Sequence, residues 1–101
     1  MKVKSYNETY EVNVYRSAYI NNNSLAIVLR ETNDMPFATL TVNLAERLPK
    51  GYAYVDTNNC PFAEKFIAEY ELGKPTGAYG YSGYCRYPLY VFDLGKIPEV
   101  E

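Results

Sequence analysis

Few residues in this chain can do chemistry, and the densest group of them is Asp56-Thr57-Asn58-Asn59-Cys60, directly ahead of Pro61. A helix starting at Pro61 would place Asp56 beside a positive helix end, as a metal ligand or general base, and would lower the pKa of Cys60 toward a nucleophilic thiolate. The same residue types serve a local purpose equally well. Asp56, Asn58 and Asn59 can close an Asx-type turn and cap the helix, taking up backbone donors that lie within a few residues. The chain has no histidine, so a cysteine–histidine pair and a histidine-based zinc site are both impossible. Cys60 and Cys85 are too few to close a tetrahedral site and lack the CxxC spacing of a redox or zinc motif. The expectation is a small half-buried thiol at Cys60, no catalytic residue, no metal and no cofactor. An opportunistic Cys60–Cys85 disulfide, and an enzyme that uses Asp56, Glu64 and a tyrosine as acid–base groups, stand as alternatives of low specificity.

A second segment, Gly77 to Tyr87, has the composition of a contact surface rather than of a catalyst. Gly77, Gly80 and Gly83 are spaced G-x-x-G-x-x-G, which is neither the dinucleotide fingerprint nor a phosphate loop. Tyr79, Tyr81, Tyr84, Tyr87 and Tyr90 stand among small residues with Arg86 between them. Tyrosine supplies a large contact area at little rotamer cost, and glycine and serine let the backbone adapt, the mixture that binding loops use. Tyr79, Tyr81, Tyr84, Arg86 and Tyr87 are therefore the candidate partner-binding residues. The opposing view folds these rings back over the sheet as a second small core. A single-stranded nucleic acid could also stack on them, but Arg86 has only Lys74 and Lys96 as neighbouring cations, so nucleic acid is a disfavoured partner.

Strands and one helix must position these groups. Tyr10 to Tyr15 alternates, with Tyr10, Val12 and Val14 on one face, which predicts a half-buried strand. Asn21-Asn22-Asn23 reads as the turn into a second strand at Leu25 to Leu29. Phe37 to Asn43 predicts a third strand with Ala38, Leu40 and Val42 inward, and Tyr52 to Val55 a short fourth. A helical turn is expected over Leu44 to Leu48. The main helix is expected over 61–71, with Asn59 or Cys60 at its cap, Phe62, Phe66, Ile67 and Tyr70 as its apolar stripe, and Gly73 and Pro75 closing it. Gly77 to Tyr87 reads as an exposed loop or irregular hairpin. Leu89 to Leu94 is an interior strand because it is apolar on both faces, and the tail after Lys96 is expected to fray. The fold class is α+β: one domain over 1–101, a mostly antiparallel sheet of about five strands with the helix on one face.

Size and charge bound the rest. In 101 residues there is room for one core. Of the 48% hydrophobic residues, 12 are tyrosines whose hydroxyls need partners when buried. Ten basic against 12 acidic residues give a net charge of −2, with the acidic excess between residues 31 and 71. That is not the clustered basic face of a duplex binder. The start, Met1-Lys2-Val3-Lys4, lacks the apolar core of a secretion signal, and no apolar run approaches a membrane span. A cytoplasmic location with no membrane partner is the expectation.

Tyr54-Val55-Asp56-Thr57-Asn58-Asn59-Cys60-Pro61-Phe62-Ala63-Glu64-Lys65-Phe66-Ile67, then Leu72-Gly73-Lys74-Pro75-Thr76-Gly77, Tyr81-Ser82-Gly83-Tyr84-Cys85 and Tyr87-Pro88-Leu89-Tyr90-Val91-Phe92-Asp93-Leu94, form a distinctive series. It resembles a family of small bacterial proteins, domain of unknown function 4313, encoded on plasmids, conjugative elements and phages. The likeness covers the C-terminal half well and the N-terminal strands loosely. It implies a setting and no activity: an accessory protein of a mobile genetic element that binds a host protein, as inhibitors of CRISPR effectors or restriction enzymes do.

Overall fold

The computed structural model describes residues 1–20, 22–44 and 46–100. In chain order the elements are β1 (Lys2–Ser5), β2 (Glu8–Ala18), β3 (Leu25–Glu31), β4 (Pro36–Thr39), β5 (Thr41–Val42), β6 (Tyr52–Val55), α1 (Ala63–Glu69), β7 (Gly73–Ser82) and β8 (Cys85–Phe92), followed by a 3-10 turn at Leu94–Lys96. The expected single sheet of about five strands is instead two four-stranded sheets, ordered β1-β2-β3-β4 and β5-β6-β8-β7. Every pairing within them is antiparallel. The expected third strand is the reason for the split. It bends at Leu40, whose N–H donates to the Ile27 carbonyl of the first sheet while its carbonyl accepts from the Asp56 N–H of the second. With Leu40 fully buried, one bent run serves both sheets and turns their inner faces toward a shared core.

That core draws Val12, Val14, Ile27 and Leu29 from the first sheet and Val55, Tyr90 and Phe92 from the second. Ala63, Phe66 and Ile67 come from the helix. The alternation predicted for β2 is present: Val12 and Val14 are buried while Glu11 and Asn13 are exposed. β8 lies between β6 and β7, the interior position that its two apolar faces predict. β6 has the predicted bounds.

The helix is shorter than 61–71, and neither end is closed as expected. Phe62 holds the N-cap without a side-chain hydrogen bond, because the Asp56 side chain stops one turn earlier, on Asn59. At the other end Glu71 takes the left-handed backbone, with φ 53. Gly73 opens β7, where a Cβ would meet the Val91 carbonyl at 2.7 Å. Its lack of a side chain permits close strand approach rather than a helix stop. Leu44 and residues 46–48 are irregular instead of helical, and Ala45 of that expected turn lies outside the described residues, as do Asn21 of the Asn21–Asn23 turn and Glu101.

The C-terminal segment is docked rather than frayed. Arg16 donates from its N–H to Pro98 and accepts from the Val100 N–H, and its Nε donates to the Ile97 carbonyl at 2.9 Å. Ile97 is buried in the core, so burial of one side chain and the hydrogen bonds of Ile97, Pro98 and Val100 to Arg16 offset the entropy of ordering the tail. No helix among the described residues is long and apolar enough to cross a membrane.

Candidate functional site

The corner between β6 and α1 brings the chemically richest residues together and uses them internally. Asp56 is buried. Its Oδ1 accepts from the Asn59 backbone N–H at 3.1 Å and its Oδ2 from the Asn59 side-chain amide at 2.9 Å, while its carbonyl accepts from the Cys60 N–H. This is the Asx-type closure that the residue types allow. Asn58 is exposed and stands outside that closure. Glu64, the other acid considered, accepts from Tyr90 Oη at 2.8 Å, so the two carboxylates are held by different partners.

The thiol of Cys60 points inward and donates to the Thr39 carbonyl at 3.4 Å. Burial, and then the nearby Asp56 carboxylate, push its pKa up from 9.0 to about 11. The direction is opposite to that of an activated nucleophile. The helix ahead is too short and the carboxylate too close for the positive helix end to prevail. Cys60 and Cys85 are both free thiols, so the opportunistic disulfide does not form. Among the described residues no group of three Cys, Asp or Glu side chains converges as a metal site.

The Gly77–Tyr87 segment is an ordered hairpin. β7 pairs with β8 from Ser82↔Cys85 down to Gly73↔Phe92, with an irregularity between Pro75 and Tyr79. Gly83, with φ 60, is the first residue of the two-residue connection, the position where a II′ turn requires glycine. Alternation along the ladder then sorts the candidates. Tyr79, Tyr81 and Arg86 share one face, since Tyr81 pairs with Arg86 and Tyr79 with Pro88. Gly80, Cys85 and Tyr87 lie on the other.

Tyr79 is 44% exposed, Tyr81 69% and Tyr84, at the tip, 109%, against 7% for Tyr87 and 4% for Tyr90. The expectation of an exposed ring therefore fails for Tyr87. Its face is covered by Tyr54 and Leu44, which press on Gly80 so closely that a Cβ there would meet them at 2.6 and 2.7 Å. The neighbouring Cys85 thiol, then burial and the Asp56 carboxylate, raise the Tyr87 pKa. Tyr54 in turn donates to Glu46 at 2.7 Å. On the open face Arg86 lies 4.2 Å from the centre of the Tyr79 ring. Among the described residues the ion pairs engage Arg16, Arg30 and the N-terminus, leaving the Arg86 charge without a carboxylate.

Reading the sequence missed β1, the start of β7 as early as Gly73 and the packing of Tyr54 on Gly80, while the irregular hairpin it offered for Gly77–Tyr87 is present. The alternation Tyr79-Gly80-Tyr81-Ser82 ahead of Gly83 was the available signal for that hairpin. The Tyr54–Gly80 contact, 26 residues apart in sequence, has no local signature.

A family model described as a domain of unknown function, DUF4313, matches residues 9–101. No curated protein and no solved structure matches the chain.

Proposed function

From the premise that the chain belongs to the DUF4313 family, we propose that it is a non-enzymatic binding protein that holds a partner protein through Tyr79, Tyr81, Tyr84 and Arg86. One observation carries this reading. Within a single ordered hairpin the packing buries Tyr87 and Tyr90 but leaves Tyr79, Tyr81 and Tyr84 exposed beside an arginine that no carboxylate among the described residues neutralises. Aromatic residues and arginine are the commonest energetic anchors of protein interfaces. Here the cation–π contact holds Arg86 on Tyr79 and the ladder fixes the strands that carry them before binding, which lowers the ordering cost. The setting we propose is that of a bacterial mobile element, with a host defence protein of the CRISPR or restriction type inhibited by occlusion, as the family resemblance implies.

The test is capture from host lysate with wild type and with the triple variant Tyr81→Ala, Tyr84→Ala, Arg86→Ala. The expected result is a specific host protein recovered by wild type and lost in the variant. Equal recovery of every partner removes the reading. A salt-sensitive fluorescence change with oligonucleotides would move the same surface to single-stranded nucleic acid.

A further inference from the structure

Sheet edges present unpaired backbone groups, and among the described residues this fold protects all of its edges but one. On β1 the outer backbone of Lys2 is closed by Tyr70, whose hydroxyl accepts from the Lys2 N–H at 2.6 Å and lies 3.2 Å from its carbonyl. Lys2 and Lys4 add charge there. β4 begins with Pro36, and β5 is two residues long. The first half of β7 carries Lys74, Pro75 and an irregularity in which Thr76 Oγ1 donates to the Leu89 carbonyl and accepts from the Ala78 N–H. What remains is Tyr79–Ser82, uncharged and free of proline. Counted from the closing pair Ser82↔Cys85, the antiparallel alternation turns the N–H and C=O of Gly80 toward β8 and those of Tyr79 and Tyr81 away from it. Pro88 agrees with this count: it stands opposite Tyr79, where the ladder asks for no N–H.

We infer that Tyr79–Ser82 pairs antiparallel with the same segment of a second copy about a two-fold axis at Gly80. The segment is complementary to itself. With Gly80 opposite Gly80 of the other copy, Tyr79 of each exchanges both backbone bonds with Tyr81 of the other, so each outward group meets one of the opposite kind. Each Gly80 at the axis, buried on one face beneath its own Tyr54 and Leu44, adds no Cβ of its own, and the tyrosines on the open face become cross-strand aromatic neighbours. Arg86 of each copy stays one strand removed from the seam, over its own Tyr79, so like charges do not meet. The contact is short and the association accordingly weak and concentration-dependent. It rests on the backbone edge rather than on the side chains, so it goes beyond the partner reading and stands or falls separately from it.

Sedimentation across a concentration series, up to the millimolar range, tests the pairing. Wild type is expected to rise from the 11.6 kDa monomer toward twice that mass. Tyr81→Pro removes one outward N–H per copy without touching a bond to β8, and is expected to weaken association at least about tenfold. Tyr81→Lys, which charges the edge, gives the same reading should the proline variant lose its circular dichroism. In parallel, the amide signals of Tyr79 and Tyr81 are expected to shift and exchange more slowly as concentration rises. A wild type that stays monomeric throughout overturns the inference, as do variants that associate as well as wild type. Because the lysate capture turns on side chains, a monomeric wild type that still loses its partner in the alanine variant would sink this pairing alone.

Discussion

At the β6–α1 corner, a carboxylate, two amides and a thiol fall within five positions, and the carboxylate and thiol both face inward onto protein groups. At the end of the β7–β8 hairpin, tyrosines, glycines and a serine offer far less reactivity, and Tyr79, Tyr81 and Tyr84 face outward. The difference lies in the backbone beside each region. A strand that turns into a helix leaves N–H groups to be satisfied, and a nearby Asp or Asn is the cheapest acceptor. A hairpin ladder satisfies its own backbone on one side, and its side chains are left for whatever else the fold or a partner brings. Density of functional groups is therefore a poor guide to availability in a chain of this size.

The sharpest test of the contrast is Gly80, the hairpin position that the rest of the molecule does grip. Gly80→Val drives side-chain carbons into Tyr54 and Leu44 and is expected to cost about 3 kcal/mol, the upper range for overpacking, read as a lowered urea midpoint. Next comes Asp56→Ala, which strips the acceptors from the Asn59 backbone and side chain; a loss of about 2 kcal/mol is expected. A corner variant as stable as wild type would show that Asp56 is not needed for closure and reopen a chemical role for it.

The thiol gives a smaller, pH-dependent effect. Cys60 keeps its proton in the fold to about pH 11 but ionises near 9.0 when exposed. Below pH 9 both states are protonated and nothing is lost; as pH rises from 9 toward 11 only the unfolded state ionises, so stability falls. The fall between those limits should be shallower in Cys60→Ala, and native Cys60 should alkylate more slowly than Cys85, which is partly exposed. The smallest effect belongs to the tip: Tyr84→Ala should change stability by under about 0.5 kcal/mol while contributing to partner loss. A large destabilisation there would break the contrast, because it would mean that the exposed ring supports the fold.

Much of this could be read along the chain. The alternation of Val12 and Val14, the run at Leu25–Leu29, the short strand Tyr52–Val55 and the stripe Phe62, Phe66, Ile67 and Tyr70 are all present near their expected positions, because each reports contact of one face with the core. The two uses of Asp56 were both visible as well, and the hydrogen bonds to Asn59 show the local one in place. Missing were β1, the division at Leu40 and the docking of Ile97 to Val100 beside Arg16. These depend on partners remote in sequence, and Val3 or Ile97 alone among polar neighbours has no period to detect.

What the sequence determined by itself is therefore the set of amphipathic segments and a chemical boundary: with no histidine and two lone cysteines, several families of site could be dismissed at once. What only the tertiary structure decided is which face of each segment is covered. Alternation states that Tyr79 and Tyr81 lie opposite Gly80 and Tyr87, but it does not say which side Tyr54 and Leu44 will press upon. That choice follows from the bend at Leu40, where one buried residue bonds to both sheets, and burial is a property of the assembled layers rather than of any stretch of chain.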